Sequence, residues 1–181
     1  MEDCTISETI KDIQIIEQKQ YEHGEWKIDK IKVTHPFPLP KQMCIGIDPG
    51  TTNLGVCVFI FNQIITYRVR FKRDKNPVVR MVNTKNILSY LINYNEFDTK
   101  ACVEGASYGD IYRQVELAEI RAACVFWSLE HGIDVKIAQP SEIRKAVLGN
   151  GNIKGKELWK GILSGDAADA LVCCYFAGQT P

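Results

Sequence analysis

Apolar residues fall in three short runs between positions 43 and 71, each cut off by turn-forming residues. Met43–Ile47 is apolar without a break, as a buried strand is, and Pro49-Gly50 ends it in a turn. Leu54–Phe61 and Ile64–Phe71 follow, joined at Asn62-Gln63, so the three runs predict an antiparallel meander. The third run alternates apolar residues with Arg68 and Arg70, the period of a half-exposed strand. Pro77 then opens a helix to about Tyr94, with Val78, Met81, Val82, Lys85, Leu88 and Ile92 near one face.

Lys100–Glu104 and Ile133–Ala138 predict two further buried strands, separated by a long helix over about Asp110–His131. That helix is apolar on two sides. One stripe is Ile111, Val115, Ala118, Ala122, Val125 and Leu129; the other is Leu117, Ile120, Cys124 and Trp127. A helix apolar on both sides lies between two surfaces, here the sheet and either a second helix or a second subunit. The chain closes with a Gly149-Asn-Gly-Asn152 loop, a basic segment Lys154–Lys160 and a helix beginning near Asp166. The order βββ-α-β-α-β-α predicts an α/β domain over residues 43–181, with a mixed five-stranded sheet flanked by helices.

Residues 1–42 differ in pattern: polar, mixed in charge, and ending in the extended Pro36-Phe-Pro-Leu-Pro40. Alternation over Glu25–Val33 after a His23-Gly24 turn signal predicts a hairpin in this extension, with a Pro-rich linker behind it.

Composition narrows the class. A chain of 181 residues, 45% hydrophobic and 24% charged, suits one globular domain with a core. No apolar run approaches the roughly 20 residues that span a bilayer, and the acidic start Met1-Glu-Asp-Cys-Thr lacks the layout of a secretion signal. The expectation is a cytoplasmic protein of a bacterial cell or a virus-infected host, with no membrane partner. The seven cysteines show no Cys-x-x-Cys spacing and sit mostly in apolar runs, so they read as buried thiols of a reducing compartment. His23, His35 and His131 stand at no zinc-ligand spacing from them.

Four acids break this apolar pattern. Asp48 and Glu104 each close an apolar strand, and Asp166 and Asp169 stand three apart on the last helix. A carboxylate at the edge of a core is costly unless it is paired, hydrogen-bonded or bound to a metal. Positions i and i+3 share a helix face, and strand-end carboxylates can point toward it. Each acid taken alone has another reading: Asp48 before Pro-Gly suits a turn, and Asp166 with Asp169 imitates a capping box. Glu104, followed by Gly-Ala, has no turn or cap to serve. Together they suggest a site for two Mg²⁺ ions, with Mn²⁺ a plausible substitute, suited to phosphodiester hydrolysis. Residues 43–181 hold 16 basic and 14 acidic side chains, so setting these four acids aside leaves a basic surface suited to a polyanion.

Ile45-Gly-Ile-Asp-Pro-Gly-Thr-Thr-Asn-Leu-Gly-Val56, Val103-Glu104 and Asp166-Ala-Ala-Asp-Ala-Leu171 resemble the RuvC family of Holliday-junction resolvases, over about residues 43–177. The resemblance implies a ribonuclease-H-like fold and a metal-binding catalytic tetrad of Asp48, Glu104, Asp166 and Asp169. It also implies a homodimer formed through the 110–131 helix and a four-way DNA junction as substrate. The family's basic residue after the glycine loop falls on Lys154 or Lys156. Two departures stand out. Gly151 and Asp166 are only 15 positions apart, and Gly105-Ala-Ser107 stands where the family carries a junction-inserting aromatic, leaving Tyr108 or Tyr112 as substitutes.

Further basic residues predict DNA contacts: Arg70, Lys72, Arg73 and Lys75 along and after the third strand, with Arg68 preceding them. Arg144 and Lys145 lie before the glycine loop, and Lys154, Lys156 and Lys160 after it. A broader endonuclease acting on flaps or forks is the nearest alternative. A remoter one is an actin-like or chaperone-type ATPase, since Gly46-Ile-Asp-Pro-Gly-Thr-Thr-Asn53 is like the first phosphate loop of those proteins.

Overall fold

The computed structural model describes residues 13–34, 42–92, 98–106 and 111–179. Seven strands form one sheet: β1 (Gln14–His23), β2 (Trp26–Thr34), β3 (Met43–Pro49), β4 (Asn53–Ile60), β5 (Gln63–Arg70), β6 (Thr99–Glu104) and β7 (Asp134–Ala138). Their order is β1-β2-β5-β4-β3-β6-β7. The pairs from β1 to β3 are antiparallel, whereas β3–β6 and β6–β7 are parallel. The five expected strands are present. Two more come from the N-terminal hairpin, whose β2 pairs with β5 from Lys27↔Arg70 to Val33↔Ile64. The Pro36–Pro40 segment lies outside the described residues.

Among the described residues, five helices flank the sheet: α1 (Pro77–Leu91), α2 (Ile111–Glu130), α3 (Pro140–Leu148), α4 (Gly155–Leu158) and α5 (Gly165–Gln179). α1 begins where Pro77 predicts, capped by Asn76 Oδ1, which accepts from Val78 N–H at 2.9 Å. Its buried face differs from the expected one: Arg80, Thr84, Ile87 and Leu88 are inside, while Val78 and Val82 are exposed. Polar contacts set this rotation. Arg80 donates to Asp74 O at 2.7 Å and through Nε to Glu119 Oε2 at 3.1 Å, tying α1 to α2.

α3 is absent from the expected order, although Pro140 at its start and Gly149 at φ 72° just past its end are ordinary boundary signals. It buries Ile143, Val147 and Leu148.

The sheet separates two cores. On one face, Ile45, Ile47, Leu54, Val56 and Val103 pack with Ile87, Leu88, Ile120, Cys124 and Trp127 of α1 and α2. On the other, Cys44, Cys57, Phe59 and Cys102 pack with α3, α5, Trp159 and Leu163. Six described cysteines are buried free thiols.

α5 is buried over most of its circumference, from Ala167 to Ala177. It lies directly on β3 and β4. A Cβ on Gly46 would collide with Ala170 O and Cys174 N, and one on Gly55 with Asp166 O. The short Gly151–Asp166 link suffices because Trp159 and Leu163 fold back over α5, their turn closed by Leu163 N–H donating to Trp159 O at 3.0 Å.

Candidate metal centre

Asp48 belongs to β3 and pairs with Gly55 of β4, so it does not cap the Pro49-Gly50 turn. Glu104 ends β6, one strand away. Ala168 N–H donates to Ser164 O at 2.9 Å, just ahead of the first residue of α5, Gly165, which leaves Asp166 inside the first turn instead of at its cap. Neither acid stands at a turn or helix cap.

Carboxylate oxygens of Asp48, Glu104 and Asp169 lie within 4.8 Å of one another. Burial pushes the Asp48 carboxyl well above its ordinary value of 3.8, and the neighbouring charges of Glu104, Asp169 and Asp166 add to the shift. Asp48 also shares a side-chain hydrogen bond with Glu104. Three convergent, half-buried carboxylates repel one another unless a proton or a cation lies between them. The donor set is all oxygen, which fits a hard divalent ion such as Mg²⁺ or Mn²⁺.

Asp166 is not in that trio. Its Oδ2 lies 2.9 Å from Arg68 Nε in an ion pair. The fourth predicted carboxylate thus sits beside the cluster, close enough to act on Asp48 but paired with an arginine.

Arg144, expected among the DNA contacts, reaches the cluster from α3, with Nη2 3.5 Å from Glu104 Oε1 and 3.8 Å from Asp169 Oδ1. A narrow crevice between α3 and α5 is lined by Glu104, Arg144, Asp169 and Cys173. Arg121 of α2 was not foreseen. Burial pulls its guanidinium below the usual range, and the Glu104 charge opposes that shift.

Other predicted basic residues are spread more widely. Arg70 pairs with Asp29 at 3.0 Å, and Arg73 holds both oxygens of Glu116 at 2.7–2.8 Å. Lys72, Lys75, Lys145, Lys154 and Lys160 are exposed. Tyr108 and the side chains of Tyr112 and Lys156 lie outside the described residues.

Two solved structures share this arrangement of elements. RuvC of T. thermophilus in complex with a Holliday junction substrate matches over 75% of this chain and 91% of its own, with a TM-score of 0.54 and 16% identity. The fold is RuvC-like. A second Thermus thermophilus RuvC structure matches over 74% of this chain and 91% of its own, at TM-score 0.56 and 18% identity. No family model matches the chain. No curated protein matches it. Among the described residues no helix is long and apolar enough to cross a membrane.

Proposed function

We propose that the chain is a metal-dependent endonuclease that resolves four-way DNA junctions by paired symmetric nicks. The observation that carries this reading is the convergence of Asp48, Glu104 and Asp169 within 4.8 Å on a RuvC-like fold. The nuclease unit is residues 43–181, with the N-terminal hairpin widening its sheet.

Bound Mg²⁺, two ions per site, would supply an activated water and charge stabilisation at the leaving oxygen. Asp48, Glu104 and Asp169 would hold the first ion, and Asp166 would contribute to the second. The ligands stand on two adjacent strands and a helix packed against them, so their separation is fixed by the core and not by a loop. Arg144 neutralises charge at the Glu104–Asp169 side. Lys154 or Lys156 serves the same end from the α4 segment. Lys72, Lys75, Lys145 and Lys160, with Arg70 and Arg73 once released from their acidic partners, hold backbone phosphates; Tyr108 and Tyr112 are the candidates for base stacking.

Paired nicks in opposing strands call for two sites related by a two-fold axis. α2 offers the surface: Val115, Phe126 and Leu129 are each more than half exposed, on the side turned away from the sheet. Such an apolar stripe suits a self-complementary helix contact.

The test compares a synthetic four-way junction, a flap and a fork, each incubated with Mg²⁺ and wild type, Asp48→Asn or Asp166→Asn. Wild type is expected to nick the junction at symmetric positions. Both variants are expected to bind it but cut at least roughly 100-fold more slowly, since even the loss of a ligand's supporting partner costs up to that factor. Full cleavage by both variants overturns the proposal; equal cutting of flaps and forks moves it to the broader branched-DNA enzyme.

A further inference from the structure

The register of the sheet places Asp48, Gly55 and Arg68 side by side on adjacent strands. Gly55 has no side chain, and the backbone of Asp166 lies over it. Arg68 therefore reaches past Gly55 to Asp166 and forms an ion pair with it, Nε 2.9 Å from Oδ2, with each side chain 31% exposed. On the far side, Arg144 serves Glu104 and Asp169. Among the described residues, two guanidiniums form ion pairs with these four carboxylates. With all the acids ionised, these six groups carry a net charge that one divalent ion balances.

An ion held by Asp48, Glu104 and Asp169 neutralises that charge. A second ion at Asp166 must displace Arg68 and would leave the site with excess positive charge. A backbone phosphate changes the balance: it brings negative charge and offers Arg68 a forked set of oxygens in exchange for the carboxylate. A half-exposed ion pair is weak in water, so the exchange has little to overcome.

We propose that Arg68 is a positioning residue that keeps Asp166 closed to metal until DNA arrives. The site takes one divalent ion alone, and the second only when a phosphate draws Arg68 away. This rests on the metal-site reading above.

Calorimetric titration with Mn²⁺ in the absence of DNA tests it. Wild type is expected to bind one ion per subunit. Arg68→Gln is expected to bind two, the second at least about tenfold tighter than any second event in wild type, as removal of a like charge a few ångströms away implies. Arg68→Lys restores one. A second measurement needs no change at Arg68: wild type titrated with Ca²⁺ gains one ion per subunit once saturated with a four-way junction. One ion in Arg68→Gln, or an unchanged count with the junction, overturns the inference while leaving the metal site standing. If wild type binds no Mn²⁺, and Asp48→Asn titrates the same way, the metal-site reading itself fails.

Discussion

Asp48 is the residue whose surroundings constrain its chemistry most. Its carboxyl is raised by burial first and by Glu104 next. Above pH 3.8 the unfolded chain has lost this proton while the folded chain keeps it, so the folded state binds more protons and stability falls as pH rises through that window. Asp48→Asn removes the repulsion. It is expected to raise the melting temperature at pH 7 by about 3 °C or more and to flatten its pH dependence above pH 3.8. Thermal melts without added metal check this, and a lowered, still pH-dependent midpoint would contradict it. A divalent ion competes with the same proton, so ion affinity rises with pH over the same window. The acids were legible because each interrupts an apolar run. Their arginines were not: Arg68 and Arg144 sit in different elements, and only tertiary packing brings them to the carboxylates.

At the scale of elements, the placement of α5 decides whether a site exists. Its backbone rests on Gly46 and Gly55, and that close approach brings Asp169 to Asp48 and Glu104. Gly46→Ala is expected to lift the helix, lowering stability by about 3 kcal/mol and metal affinity along with it. Urea unfolding and calorimetry measure the two; an unchanged affinity would show that the contact does not position the site. The strands were readable from continuous or alternating apolar runs, and α5 from its apolar length. α1 was placed in sequence but turned wrongly, because periodicity weighs Val78 and Val82 above an arginine. Arg80 is nevertheless buried, through its bonds to Glu119 and Asp74. α3 went unread since its nine residues carry few apolar positions, although Pro140 and Gly149 bracket it.

Across the whole molecule, the two-sided helix α2 separates into an inner and an outer stripe. Ile120, Cys124 and Trp127 belong to the intramolecular core, with Trp127 Nε1 donating to Ser89 Oγ at 2.9 Å. Charged substitutions there would test folding, not assembly. The outer stripe is the one to probe: Phe126→Glu with Leu129→Glu is expected to give a monomer with an unshifted melting temperature. Sedimentation velocity reads the outcome, and a dimer that survives both changes places the interface elsewhere. Sequence could show that α2 has two apolar faces but not which one the sheet takes, since both stripes have the same period. The N-terminal hairpin was visible as alternation, whereas its pairing with β5 depends on long-range register that no local pattern encodes. The most direct measurement of the whole account uses a supercoiled plasmid carrying an extruded cruciform, incubated with Mg²⁺. Wild type is expected to convert it to linear DNA by coordinated nicks, and Glu104→Gln to leave it supercoiled while still binding. Linear product from Glu104→Gln, or cleavage by wild type that EDTA does not stop, would contradict it.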